Sequence, residues 1–373
     1  MKNVLGMIYT GENDAYLREL TLTRAIAALP VAGRYRIIDF FVSSMVHSGI
    51  RNVGVIMQKN YHSLMDHLGS GKEWDLHSKA NGLFLLPPFL TRENIGVYPG
   101  LIDAIRSNNN YLQRSKQKFV LLTNSNMVFK ANFSEVIRQH HESGADVTLL
   151  YSKDSSLKRS EHGTYLSIDE NGEVVDIEVD PISPSFDNVS LNACLISKEL
   201  LIQLVDQATS HGYHDFNRDI LQRLALKKML RIVGYEFKEK VWLIDSIQSY
   251  FQCNMDLLQD KHRNYLFSLD QPVYTKVRDE MPAQYGANAH AKKTLVADGC
   301  FIEGHVENSV LFRGVTIEEG AFVKNCIIMQ DGYIENGAYI ENCILDKQAV
   351  IKSGTRLIGP HSYPIVISKK VVI

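Results

Sequence analysis

The sequence carries almost no excess of charge: 40 Lys and Arg stand against 42 Asp and Glu, a formal net charge of −2. That balance excludes a global positive field of the kind that draws a protein to nucleic acid or to an anionic membrane. Long apolar runs are missing too, and none approaches the ~20 residues that a membrane span needs. The segment Met1-Lys2-Asn3-Val4-Leu5-Gly6-Met7-Ile8-Tyr9 runs straight into apolar residues with no signal-peptide cleavage region. Cysteine is scarce, with five residues (194, 253, 300, 326 and 343), an odd number and no C-x-x-C pair. That usage argues against a disulfide framework and for reduced thiols in a cytoplasmic protein. What remains is an ordinary globular composition, 45% hydrophobic and 22% charged over 373 residues, long enough for two domains with separate cores.

The first two thirds alternate between strand and helix patterns. Val4–Tyr9, Val53–Gln58, Phe119–Asn124 and Asp146–Ser152 are short apolar runs with β-branched content, the signature of buried parallel strands. Helical periodicity fills the intervals at Leu101–Gln113 and at Ser134–Ser143, the latter stopped by Gly144. This order predicts an open α/β sheet whose ligands bind beyond the carboxyl ends of the strands.

The last third is a repeat. Ile317-Glu-Glu-Gly-Ala-Phe-Val-Lys-Asn-Cys-Ile aligns with Ile334-Glu-Asn-Gly-Ala-Tyr-Ile-Glu-Asn-Cys-Ile at an offset of 17, with seven of eleven positions identical. Within each coil an aliphatic residue recurs six positions on, as in Ile317 and Val323, Ile334 and Ile340, Ile351 and Leu357. Three short strands per turn, with Asn and Gly at corners where positive φ is cheap, predict a left-handed parallel β-helix of hexapeptide type with about four coils. Cys326 and Cys343 fall at equivalent positions, as inward-facing stacked residues would.

The local sequence then narrows the family. Tyr35-Arg36-Ile37-Ile38-Asp39-Phe40, Ser48-Gly49-Ile50, Gln58, Trp74-Asp75-Leu76, Asp215-Phe216-Asn217-Arg218 and Asn254-Met255-Asp256 resemble the bacterial ADP-glucose pyrophosphorylases (glucose-1-phosphate adenylyltransferases). The resemblance implies a nucleotidyltransferase-type, Rossmann-like open sheet over residues 1–255, a linker over 256–291 and the β-helix over 292–373. It also implies a tetramer, and a reaction that joins ATP and glucose 1-phosphate into ADP-glucose, the glycogen precursor.

That chemistry needs glycines where backbone amides approach a triphosphate, basic side chains on the phosphates, and carboxylates holding Mg²⁺. The chain departs from the family at each position. Glu12 and Asp14 stand at the second and third loop glycines, Tyr16 at the loop arginine and Ile26 at the loop lysine. Ser125 replaces a metal-binding Asp, and Asp180 replaces the Lys that holds the sugar phosphate. Asp245 is a candidate substitute for the second metal ligand. Two added carboxylates near phosphate would each cost ~1 kcal/mol in water and ~4 kcal/mol at an effective dielectric of 20.

The resemblance therefore implies a GlgD-type, catalytically inactive regulatory subunit with no catalytic residue, cofactor or metal of its own. It would form a heterotetramer with a catalytic ADP-glucose pyrophosphorylase subunit that binds Mg²⁺ and ATP, and would answer to a small-molecule effector. Two alternatives stand beside it: a weakly active sugar-phosphate nucleotidyltransferase, and a module that senses nucleotide or sugar phosphate. Arg18, Arg24 and Lys59 bear on the first alternative as possible replacement charges, although Arg18 and Arg24 read more simply as solvated. His140 and His141, ~100° apart on a helix, read as solvated surface. Gln58 and Trp74 read as packing or transmission residues, and Arg36 with Asp39 as a structural ion pair.

Overall fold

A computed structural model describes residues 3–78, 81–88, 96–159 and 163–373; Met1 and Lys2, at the start of the N-terminal segment read above, lie outside them. The chain divides into two compact units, Met1–Glu12 with Phe40–Trp242, and Asn13–Asp39 with Leu243–Ile373. The boundary inferred near residue 255 thus differs from the folded partition, in which residues 13–39 and 243–255 belong with the β-helix. The expected linker also holds structure, including the helix Asp260–Leu266 and the strand Gln284–Tyr285.

In the first unit Val4–Tyr9 is the central strand, parallel to Val53–Ile56 on one side and to Phe119–Thr123 on the other. Leu83–Leu86 extends the parallel edge. The long strand Asn188–Ser197 adds antiparallel to Phe119–Thr123 and to Val147–Ser152, which in turn pairs in parallel with Ile232–Glu236. Val4–Tyr9 is buried along its whole length, which explains why its sequence shows an apolar run rather than alternation. The helix at Phe133–Ser143 starts where the Asn132 side chain accepts from the Ser134 amide and ends at Gly144, φ 61°.

Two expectations need correction here. The single helix read over Leu101–Gln113 is two, Leu101–Ser107 and Asn109–Arg114, because the Asn108 side chain donates back to the Ala104 carbonyl and leaves helical geometry at φ −103°. His140 is not solvated. It is 3% exposed, its Nδ1 lies 2.8 Å from Thr148 Oγ1, and burial holds its pKa below the usual imidazole value. One face of the helix packs on the sheet, so adjacent histidines 100° apart meet different environments.

The second unit stacks parallel rungs. Ile302, Ile317, Ile334 and Ile351 pair in register, as do Val306, Val323, Ile340 and Leu357. The spacing is 17 residues except in one early coil, where Ala291 pairs with Val306, Leu295 with Val310 and Ile302 with Ile317 at 15, and at the last, where Cys343 pairs with Ile365 at 22; the shorter coil hides the repeat upstream. Cys326 and Cys343 stack in register and are fully buried, as read from the sequence.

The corners follow the expected chemistry. Asn308, Asn325 and Asn342 take φ of 46°, 48° and 51°. Their amides form a ladder, Asn308 donating to Asn325 at 2.7 Å, Asn325 to Asn342 at 3.1 Å and Asn342 to the Gly359 carbonyl at 3.0 Å. Asn325→Ala is expected to cost about 2 kcal/mol, the sum of left-handed backbone strain on a non-glycine residue and broken side-chain hydrogen bonds. Asn325→Gly, relieved of the strain, should cost less. Urea denaturation of the three chains checks the order, and an unchanged Asn325→Ala would contradict the ladder's role.

Why residues 13–39 join the β-helix is visible on one of its flanks. Val310, Ile327 and Ile344 lie on the outward side of their strands yet are wholly buried. The helix Ile247–Asp256 contacts the Phe322–Ile328 strand, and the 3-10 segment Ala15–Leu20 contacts the Ile365–Ile367 strand. Tyr250 ties the cover together by donating to the Pro30 carbonyl at 2.6 Å. Arg24, read above as a solvated charge, is instead 2% exposed, with Nη2 2.8 and 2.9 Å from the two Asp346 carboxylate oxygens. A guanidinium removed from water requires such a carboxylate.

Candidate functional site

A cavity of about 270 Å³ opens in the first unit beyond the carboxyl ends of Val4–Tyr9 and Phe119–Thr123, where an open α/β sheet places its ligands. Gly11, Gly100, Asn124, Asn192, Asp215 and Asn217 are among its lining residues. The Asn188–Ser197 strand breaks register between Ser190 and Cys194, and Asn192 sits in that bulge at φ 47°. Its carbonyl accepts from the Asn124 amide at 3.1 Å and its side chain from Asn217 at 2.9 Å. Asp215 caps the following π-helical turn by accepting from the Arg218 amide.

The loop after the first strand folds back on its own sheet. A Cβ at Gly11 would stand 2.4 Å from the Tyr9 ring and 2.5 Å from Gln58 Cγ, so glycine here is required by packing on Tyr9. Gln58 is 3% exposed. Its amide donates to Tyr9 Oη at 3.1 Å and to the Tyr98 carbonyl, and its oxygen accepts from the Tyr98 amide. It thereby fixes the segment leading to Pro99 and Gly100. Trp74, wholly buried, donates to Ser43 Oγ at 3.2 Å. Both residues hold structure, which is the packing alternative read from the sequence.

Glu12 and Ser125 come together. The Ser125 hydroxyl donates to Glu12 Oε1 at 2.8 Å, and the Ser125 amide also donates to that oxygen. Ser125 is fully buried. The field around them is negative: burial, followed by Glu12, Asp103 and Asp215, pushes the Tyr9 phenol up to about 12. No Lys or Arg is among the cavity-lining residues, and His214, which does line it, is engaged by Asp103 at 2.8 Å. Asp180 sits at φ 50° with Arg218 Nη2 3.4 Å from its carboxylate. Asp14, Tyr16, Ile26 and Asp245 belong to the second unit. There Ile26 is buried, Tyr16 is exposed, Asp14 precedes the 3-10 turn at Ala15, and the Asp245 amide donates to Ser249 Oγ at 3.0 Å. Asp39 accepts from the Arg36 amide at 2.9 Å.

A nucleotidyl transferase family model matches residues 6–260, and a GlmU-like C-terminal hexapeptide model matches residues 280–362. The chain belongs to the nucleotidyl transferase family. It is 35% identical to the glycogen biosynthesis protein GlgD of Bacillus subtilis (strain 168) over 324 residues, 86% of this chain and 82% of that protein. It is 36% identical to the GlgD of Geobacillus stearothermophilus over the same shares, and 32% identical to the glucose-1-phosphate adenylyltransferase of that organism over 87% of this chain and 84% of the relative.

A nucleotidyl transferase site has to accept a polyphosphate and Mg²⁺, and the residues present do not fit them. The Glu12 carboxylate occupies the Ser125 amide and hydroxyl, donors that face a fellow loop rather than a ligand. Mg²⁺ is commonly held by one or two carboxylates, and Ser125 offers only a neutral hydroxyl. Among the described residues no group of three or more His, Cys, Asp or Glu side chains is arranged to hold a metal ion.

Two contributors escaped the sequence reading. Tyr9 could have been suspected from a bulky aromatic at the last position of the first strand, directly before the loop. Asn192 left no signal, since a bulge in an apolar strand depends on which strands it pairs with.

Proposed function

We propose that this chain is a regulatory, catalytically inactive subunit of a hetero-oligomeric ADP-glucose pyrophosphorylase in glycogen biosynthesis. It modulates a catalytic homologue, which binds ATP, glucose 1-phosphate and Mg²⁺ within a heterotetramer and answers to a small-molecule effector. The observation that carries this reading is the Glu12–Ser125 contact: the carboxylate of the loop after the first strand accepts from Ser125, which the resemblance sets at a metal-binding Asp. Support comes also from the names of relatives that match over most of the chain, two of them glycogen biosynthesis proteins. The same reading includes a cytoplasmic setting, which the five unbridged cysteines support.

The test is to mix the chain with a catalytic glucose-1-phosphate adenylyltransferase and follow co-elution and ADP-glucose synthesis, with and without phosphorylated sugars. Formation of a complex and a change in rate or effector response are expected. A chain that neither binds the catalytic subunit nor alters its kinetics overturns the reading.

A further inference from the structure

One open flank of the β-helix carries two regular columns. In the first, His290, His305, Phe322 and Tyr339 stack with ring centroids 5.0, 4.8 and 5.0 Å apart and planes within 9° of parallel, and Arg356 lies over the last ring at 5.0 Å. In the second, two residues further along each strand, the order is Lys292, Glu307, Lys324, Glu341, paired across rungs at 3.8 Å for Lys292–Glu307 and 3.4 Å for Lys324–Glu341. His290, Lys292 and Arg356 are exposed and the others half-buried. On the later rungs the residue between each pair, Val306, Val323 and Ile340, is buried and points inward, as the period of two requires.

The charge column reads Lys-Glu-Lys-Glu in one direction and Glu-Lys-Glu-Lys in the other. A two-fold axis lying in the flank, parallel to the strands and midway between the rungs of Glu307 and Lys324, reverses the order of rungs but keeps each column facing its own copy. Lys292 then faces Glu341 of a second molecule and Glu307 faces Lys324. In the aromatic column His290 faces Tyr339, and His305 faces Phe322. A shift of the axis by half a rung, onto Lys324, would set Lys324 against Lys324 and Glu307 against Glu341, so the charges select the register. Such self-complementarity is what an isologous contact demands.

We propose that this flank docks on the same flank of a second copy of the chain, antiparallel, about a two-fold axis between the Glu307 and Lys324 rungs. Four rungs at ~4.8 Å span only about 20 Å, and the face falls short of the ~800 Å² per partner of a durable complex. The contact is therefore weak and salt-sensitive, and it serves between copies in an assembly or at high concentration. This goes beyond the assembly with a catalytic homologue proposed above and does not depend on it.

Charge reversal tests the register. In Glu307→Lys the introduced ammonium faces Lys324 of the second copy, and the symmetry makes that clash twice. In Lys324→Glu the introduced carboxylate faces Glu307, again twice. Each variant alone should lose self-association, by about tenfold or more in dissociation constant for two like-charge contacts. An equimolar mixture restores both pairs and should recover it. Sedimentation velocity of the full chain at about 50 and 500 mM NaCl reads the association, with circular dichroism confirming that each variant is folded. Parent chains that stay monomeric at several hundred micromolar, single variants that associate like the parent, or a mixture that fails to recover would each overturn the proposal. Association seen only after a catalytic homologue is added would overturn it too, while leaving the proposed function standing.

Discussion

Given ATP, glucose 1-phosphate and Mg²⁺, the isolated chain is expected to make ADP-glucose at least ~10²–10³-fold more slowly than a catalytic relative, the loss that one missing electrostatic contact to the transition state commonly brings. On the proposed reading several contacts are lost together, and such losses are not additive, so the first already sets the scale. The site explains why a single reversion should not help. Ser125→Asp places a carboxylate where Ser125 now donates to Glu12 at 2.8 Å, and two like charges at that distance repel by several kcal/mol in a partly buried setting. That variant should lose stability without gaining activity. Glu12→Gly with Ser125→Asp removes the clash and frees the loop, so it should recover stability and gain Mg²⁺ affinity, read by calorimetry. Sustained turnover by the parent chain at ordinary rates would overturn the inactive reading.

Asp346→Ala is expected to destabilise the second unit by ~3–5 kcal/mol, the range for leaving a buried charge without its partner. Arg24 and Asp346 are 3% and 2% exposed at the side chain, so the guanidinium has no water to turn to. Its surroundings are also already cationic: burial, then Arg36, Arg24 and Arg278, holds the Lys347 amine down at about 7. Asp346 opposes that field, and its loss leaves several cations uncompensated. The paired replacement Arg24→Met with Asp346→Leu removes both charges and should cost less than Asp346→Ala alone, because an apolar pair of similar volume often matches a buried ion pair. Chemical denaturation of the three proteins decides it. A loss below ~1 kcal/mol for Asp346→Ala would mean that the pair behaves as an exposed one.

The sequence by itself determined the elements whose signal is local and periodic. The buried strands at Val4–Tyr9 and Phe119–Thr123 follow from unbroken apolar runs, and the stacked coils follow from a 17-residue repeat whose asparagines sit at positive-φ corners. By resemblance it also singled out Glu12 and Ser125, as residues expected at a loop glycine and a metal-binding Asp. Only the tertiary structure decided what those residues do. That Glu12 reaches Ser125, that Gly11 is held by the Tyr9 ring, and that Arg24 and His140 are buried are contacts for which no local pattern exists. A lone arginine in a loop looks the same whether it meets water or Asp346, 322 positions later. Residues 13–39 likewise read as part of the first domain by order along the chain. Burial of Val310, Ile327 and Ile344 on the outer side of their strands assigns them to the second, because an apolar flank has to be covered by whichever segment can reach it.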